Sequence, residues 1–569
     1  FDFDFFDIKR IEVLRGPQGT LFGRNTMGGI VNIVTTSPVD YQGTHINLSA
    51  GTYGSYSLNA GHYGKAGKKL AYSLAINTLH NDGFYTNEFN GKKVDKLNSY
   101  GVRNRLIYEF SKRFTVENIA GVEISKQGGY PYALWNDTLN KAMPINYNQY
   151  SSYDRNLFSD AVIARYSGDK YEIMLTTSYQ YLKDKQQIDQ DFTPASVYFM
   201  IQDQKQNMIS QEIIARSTGA KKYKWLFGAY GFHQMFNNAL TANVYTQSMD
   251  YLKKYDHQIS GAALFHQSSI SPVKNLTLTA GIRIDVEKDV MDYYYDRTLR
   301  GNYSVLADTL YPSLNSMEII PRFAINYQLN KVNLYAVVAK GYKTGGFNST
   351  FEKPEDLKFD PEYSWNYETG FKTSLFNNFL YADLSFFYID WRHQQIYQIP
   401  TSGVGSMLKN VGHSDSKGTE VSLRTAPVSG FEFSLAYGYT YARFLNYYVS
   451  DTKSNNGKLL PYVPRQTVSF QASKSINIKN SSILDMIKIS ALYRGAGEIF
   501  WNEENKNHQS YYGLLDGKLS FTRKSLQFDL WAKNLLNAEY SSFFFEALGN
   551  KYVQTGKPAQ FGVNLGLKF

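Results

Sequence analysis

The residues that first suggest chemistry sit near the front of the chain. The glycine-rich stretch "IEVLRGPQGTLFGRNTMGGIVNIVTTSP" occupies 11–38, and glycine-rich loops can cradle phosphate. Nucleotide chemistry fails on residue type. Gly23 and Gly28 have the spacing of a phosphate loop, but Gly29 stands where a phosphate-reaching Lys is required. A dinucleotide site is excluded too, since no strand–G-x-G-x-x-G–helix order is present. Hydrolytic chemistry finds no support. His45, His62, His80, His233, His257, His266, His393, His413 and His508 are scattered without a metal-binding spacing. No serine lies in a nucleophile-elbow setting, and cysteine is absent. The carboxylate pairs Asp2/Asp4 and Glu503/Glu504 fall at a frayed end or in a loop, with nothing further to suggest calcium. The reading is of a non-enzyme with no catalytic residue, no resident metal and no cofactor. The glycines then act as backbone devices: Gly16-Pro17 with Gly19, then Gly23, then Gly28-Gly29, allow three reversals between the short strands "RIEVLR" and "GGIVNIVT".

The elements that would position such residues must be strands. Period-two alternation dominates the rest of the chain. In "KLAYSLAIN" Leu70, Tyr72, Leu74 and Ile76 oppose Ala71, Ser73, Ala75 and Asn77. In "NLTLTAGIRID" Leu276, Leu278, Ala280, Ile282 and Ile284 oppose Thr277, Thr279, Gly281, Arg283 and Asp285. The C-terminal Phe561, Val563, Leu565, Leu567 and Phe569 alternate with Gly562, Asn564, Gly566 and Lys568. Successive strand side chains point to opposite faces, so each strand has an apolar face and a polar one. The polar faces carry Gly, Ser, Thr, Asn and Ala with few charges. A soluble sandwich would charge its outer face, so lipid outside and a wet lumen inside fits better.

Composition agrees. Aromatics make up 16% of the chain, with 47 Tyr and 37 Phe, yet only 43% of residues are hydrophobic. Many rings in a polar chain point to rings at a membrane boundary. No apolar run reaches the length of a transmembrane helix. The net charge of +10 is spread over turns such as "GKAGKK" rather than blocked, which argues against nucleic acid. Short turn signals ("GKAGKK", "SKRF", "SGDK", "LNKV", "FNNF", "VSGF") alternate with longer polar stretches at 126–157, 184–208, 286–318, 344–362, 399–417 and 445–464. That is the turn asymmetry of outer-membrane barrels. At roughly 24 residues per strand with its connections, residues 39–569 predict about 22 strands.

The opening block "IKRIEVLRGPQGTLFGRNTMGGIVNIVTTSP" resembles the end of the plug domain of TonB-dependent outer-membrane receptors. The resemblance continues through "LTAGIRIDVE" (278–287), "LYAVVAKGYKTGGFN" (334–348), "FDPEYSWNYETGFK" (359–372), "SKGTEVSL" (416–423), "WAKNLLNAEY" (531–540) and "FGVNLGLKF" (561–569). It implies an all-β fold: a transmembrane antiparallel barrel at 39–569 and the C-terminal part of a plug at 1–38. It implies a Gram-negative outer-membrane location, contact with outer-membrane lipid and lipopolysaccharide, and a monomer. The implied function is active import of a scarce nutrient, most often a ferric siderophore, with iron only as part of the transported chelate. Energy would come by contact through the TonB complex, because an outer membrane holds neither ATP nor an ion gradient. "FDFDFFDIKR" carries no signal-peptide features, so the early plug and the TonB-contacting segment are expected to precede Phe1 in the full-length protein.

The resemblance also sharpens one constellation. Parity turns Glu368 and Glu420 inward, opposite Tyr367 and Val421 on the lipid side. Plug arginines of the family pair with barrel-wall glutamates, so Arg15 is expected to pair with Glu368 and Glu420. The aromatic stretches "GGYPYALW" (128–135) and "SSFFFEALGNKY" (541–552) are read as interface-girdle rings, or as rings facing a ligand. The ligand-contacting residues are not legible. Cobalamin, haem and oligosaccharide remain alternatives within import, with a passive porin or adhesin outside it. The stretch "RNTMGG" in place of the glycan importers' "RAANG" lowers the oligosaccharide reading.

Overall fold

The computed structural model describes residues 7–219, 222–398, 405–450, 452–479 and 481–569. Asp2 and Asp4 lie outside the described residues. The body is a closed antiparallel barrel of 22 strands that follow one another around the wall in chain order. The first strand, Gly43–Gly51, closes the ring against the last, Gln560–Lys568, with Leu48 opposite Leu565. Closure pairs every edge, which is what allows strands to cross a membrane with their backbone groups satisfied.

Burial reads out the alternation directly. Leu74 and Ile76 are 44% and 38% exposed, whereas Ala71, Ser73 and Ala75 are 4%, 6% and 2% exposed. In Leu276–Leu299, Ile282 and Ile284 are exposed while Arg283 and Asp285 are buried. The apolar face therefore points outward, the reverse of a soluble fold.

One rim carries the short turns 67–69, 112–113, 168–170, 330–331 and 524–525. The other carries the long connections 82–96, 129–151, 344–361, 447–465 and 534–559. Two stretches expected as loops, 184–208 and 286–318, are instead mostly strand. Tyr171–Asp189, Tyr198–Ser217, Met249–Ile270 and Leu276–Leu299 run to between 19 and 24 residues, where about 10 suffice to cross a bilayer. Their upper halves stand above the apolar band. Polar residues on both faces suit a strand wetted on both sides, so composition alone reads as loop where the ladder continues. Likewise, within 399–417 a strand already begins at Met407, and 399–404 lie outside the described residues.

The long-loop rim has its own core. Lys141–Ala142, Ala133–Asn136, Asn550–Thr555 and Ser541–Ala547 form a four-stranded sheet in that order. Its side chains pack with Tyr85, Tyr147, Phe192 and Trp501. Inside the barrel lies a separate two-stranded sheet, Ile8–Arg15 against Gly29–Thr35, with Arg15 opposite Gly29. One of its faces exposes Ile11, Val13 and Val31.

Candidate functional site

The segment that begins with this two-stranded sheet is pinned to the inner wall by its own turn chemistry. Gly16 has φ +68°, and a Cβ there would stand 2.8 Å from Nδ2 of Asn366 on the wall. Only glycine takes that conformation at that distance without strain. Gly19 makes no reversal: it opens a single helical turn, Gly19–Phe22, and lies against Ile320. Gly23 (φ +80°) ends that turn beside the Arg283 guanidinium. Gly29 (φ +134°) crosses so close to Leu14 that a Cβ would collide with its carbonyl oxygen. Gly28 has nothing within 4 Å of where a Cβ would stand, so nothing there requires glycine. Pro17 sits against Gly341. The Thr20 hydroxyl donates to the Ile320 carbonyl at 3.2 Å, and the Asn25 N–H donates to the Tyr342 carbonyl at 3.2 Å.

Arg15 reaches one of its two expected carboxylates. Its Nη1 donates to Glu420 Oε2. Glu368 is not its partner: Glu368 Oε1 accepts the Tyr335 hydroxyl at 2.9 Å, and Oε2 lies 3.8 Å from the Cβ position of Gly16. Glu362–Leu375 and Met407–Thr425 are separated by the strand Leu380–Gln398, a gap of about 10 Å. Tyr335 from the adjacent strand holds Glu368 instead. The Arg15 side chain is 54% exposed, so this pair is worth at most about 1 kcal/mol.

A better-shielded contact lies deeper. Arg24 Nη1 donates to Glu287 Oε2 at 2.9 Å and Nη2 donates to Gln234 Oε1 at 3.3 Å. The guanidinium carbon stands 4.3 Å from the Phe232 ring centre, a cation–π geometry. Beside it, Arg283 Nε donates to Asp285 Oδ1 at 2.7 Å, and the Tyr342 hydroxyl donates to the same carboxylate at 2.8 Å. Arg24, Phe232, Arg283, Asp285, Glu287 and Tyr342, with Glu212 and Tyr230, line a cavity of about 310 Å³. On the opposite wall the buried Asp7 pairs with Arg103 and accepts the Tyr63 hydroxyl at 3.1 Å.

Above, at the long-loop rim, a cavity of about 660 Å³ opens among Tyr85, Asp95, Tyr130, Tyr132, Tyr153 and Lys557. Lys557 Nζ lies 3.1 Å from Asp95 Oδ2. Burial pushes the Tyr85 phenol up to about 12 and raises that of Tyr130, so both remain neutral O–H donors at pH 7. Aromatic faces, neutral phenols and one paired cation suit a bulky, ring-bearing polar ligand. Most rings of 128–135 and 541–552 do something else. Ala133 pairs with Val553 and Leu134 with Tyr552, and Phe544 and Tyr552 are 4% and 0% exposed. They are the core of the rim sheet, not a membrane girdle.

The model of the family "TonB dependent receptor-like, beta-barrel" matches residues 40–535. The chain belongs to this family. It is 23% identical over 573 residues to the pesticin receptor of Yersinia pestis, across 99% of this chain and 81% of that protein. Its fold matches the ferric yersiniabactin uptake receptor FyuA from Yersinia pestis with a TM-score of 0.86, at 20% identity, covering 99% of this chain and 85% of that one. It also matches the siderophore receptor PiuA from Acinetobacter baumannii, with a TM-score of 0.80, 14% identity, and 99% and 87% coverage.

The receptor therefore resides in the Gram-negative outer membrane, with its long-loop rim extracellular and its short turns periplasmic. Its family comprises transport receptors rather than enzymes. Among its described residues no group of His, Asp and Glu is placed to hold a metal ion. Sequence reading passed over Arg24, Arg283, Asp285 and Glu287. The signal was present: the alternation in "LTAGIRIDVE" puts Arg283, Asp285 and Glu287 together on the lumen side.

Proposed function

We propose that the receptor imports a ferric siderophore by plug-gated, TonB-driven active transport. The observation that carries this reading is the segment 7–35 seated in the lumen beneath the extracellular cavity. It is held on two walls, by Arg24–Glu287 and Arg15–Glu420 on one side and Asp7–Arg103 on the other. A bulky chelate bound at Tyr85, Tyr130 and Tyr132 has this segment in its path. Passage requires those contacts to separate, and nothing at an outer membrane supplies that work except contact with an energised partner. The mouth's aromatic and phenolic lining suits an iron chelate bearing rings and oxygen donors. The uptake of ferric yersiniabactin by FyuA supports the ligand class.

The test is iron uptake in a strain carrying the full-length gene against its deletion, across a panel of ferric siderophores, haem and cobalamin. At least one ferric siderophore is expected to depend on the gene and on TonB. Unchanged uptake of every siderophore, or dependence for haem or cobalamin alone, would overturn the ligand class.

A further inference from the structure

The strand ladder sets the order of polar groups in the extracellular cavity. Tyr153 stands directly opposite Gln127 on one neighbouring strand and opposite Gln186 on the other. All three line the cavity, so a phenol flanked by two carboxamides forms one row across its wall. Among the described residues no protein group hydrogen-bonds the side-chain carboxamide of Gln127 or Gln186. Both remain available to a ligand as donors and acceptors.

The same alternation turns cations away. The next residues on those two strands are Lys126 and Lys185, both opposite Asp154, and the pleat puts them on the outer face. Among the described lining residues Lys557 alone is cationic, and it is paired with Asp95. Asp95 is itself fixed, since its Oδ1 accepts the N–H of Phe84 at 2.7 Å and of Tyr85 at 2.9 Å. One inward row below Tyr153, the buried Arg155 stands opposite the buried Asp184 and pairs with Glu123. Asp184 Oδ2 accepts the Tyr153 hydroxyl at 3.1 Å. Two carboxylates thus attend one guanidinium, and the floor under the amide row leans negative.

We infer that this mouth selects ferric chelates that carry no net charge. The inference rests on the import reading above and narrows its substrate class. Ferric iron held by three hydroxamates is neutral, whereas three catecholates leave it trianionic. A neutral chelate offers its coordinating oxygens to the Gln127 and Gln186 N–H groups and its apolar parts to the rings of Tyr130 and Tyr132. An anionic chelate entering the cavity gives up water without gaining a free cation and approaches the Asp184 carboxylate, both of which cost affinity.

The experiment measures affinity by quenching of the tryptophan fluorescence of the purified full-length receptor. The probes are neutral ferric trihydroxamates, anionic ferric tricatecholates and ferric citrate, and each is also scored for gene-dependent uptake. A neutral chelate is expected to be taken up and to bind about tenfold or more tighter than any anionic one. Its affinity should change less than about twofold between 50 and 500 mM salt. Gln127→Ala and Gln186→Ala should each weaken it about fivefold. An anionic chelate that is taken up and binds as tightly as the neutral ones overturns the charge assignment and leaves siderophore import standing. Uptake of no ferric siderophore overturns the import reading itself. A neutral chelate whose affinity is unmoved in both glutamine variants overturns its placement in this cavity. The salt series and the charge ranking use the wild type alone, so they decide even where a variant fails to fold.

Discussion

Arg24 and Glu287 meet at 2.9 Å although 263 residues separate them in the chain. The pair joins the luminal segment to the wall, with the side chains only 26% and 13% exposed. Arg24→Ala leaves Glu287 without its cation in a shielded site, at a cost on the order of 3 kcal/mol. Hydrogen exchange at the amides of Gly23 and Asn25, which bond to Gly19 and Tyr342, should accelerate about 100-fold. Arg15→Ala, acting on a half-exposed pair, should change exchange by less than about fivefold. Equal effects of the two substitutions would show that burial does not rank these contacts.

Gly28 and Gly29 are neighbours with opposite requirements. Gly29→Ala forces a Cβ into the Leu14 carbonyl at a left-handed φ and should cost at least about 2 kcal/mol of local stability. Gly28→Ala meets open space and should lie within about 0.5 kcal/mol of wild type. Protection of the amides between Ile30 and Thr35 distinguishes the two, and a Gly28→Ala loss as large as that of Gly29→Ala would count against the turn assignment.

The rim sheet should unfold without the barrel. Phe544 is almost fully buried and stacks on Trp501, so Phe544→Ala should cost about 3–5 kcal/mol locally. Limited proteolysis is expected to open 129–151 and 534–559 first, while the heat-dependent shift in gel mobility that reports a closed barrel stays intact. Loss of that shift in the variant would show that rim and barrel unfold together.

Asp189 lies above the membrane, where Tyr171–Asp189 meets the rim. Its carboxylate accepts the N–H of Gln149 at 3.1 Å and of Phe192 at 2.9 Å. Burial, with Asp191 beside it, pushes Asp189 up to about 7 from the ordinary 3.8. The folded rim then holds a proton that the unfolded chain has released, so this group's contribution to stability falls as pH rises from about 4 to about 7. Residues 190–197 should therefore resist protease better at pH 5 than at pH 8. In Asp189→Asn the difference should shrink, and an undiminished pH dependence would assign the titration elsewhere.

Much of this receptor is written in nearest-neighbour pattern. Period-two alternation places Leu74 and Ile76 outside and Ser73 and Ala75 inside, because a strand has only two faces and the pleat assigns residues to them in turn. The turn asymmetry and the count of strands follow from the same local rule. The two strands Ile8–Arg15 and Gly29–Thr35 are legible for a different local reason, the glycine-bearing turns between them. What local pattern does not carry is which inward groups meet. Arg15 takes Glu420 while Tyr335, on the neighbouring strand, holds Glu368, a pairing set by lateral neighbours. Arg24 finds Glu287 only after the barrel has closed. The rings of 541–552 become a core only when Ala133–Asn136 comes alongside Asn550–Thr555. Strand faces are set within a few residues of chain, whereas luminal pairs and loop cores depend on distances that exist only once the ring is complete.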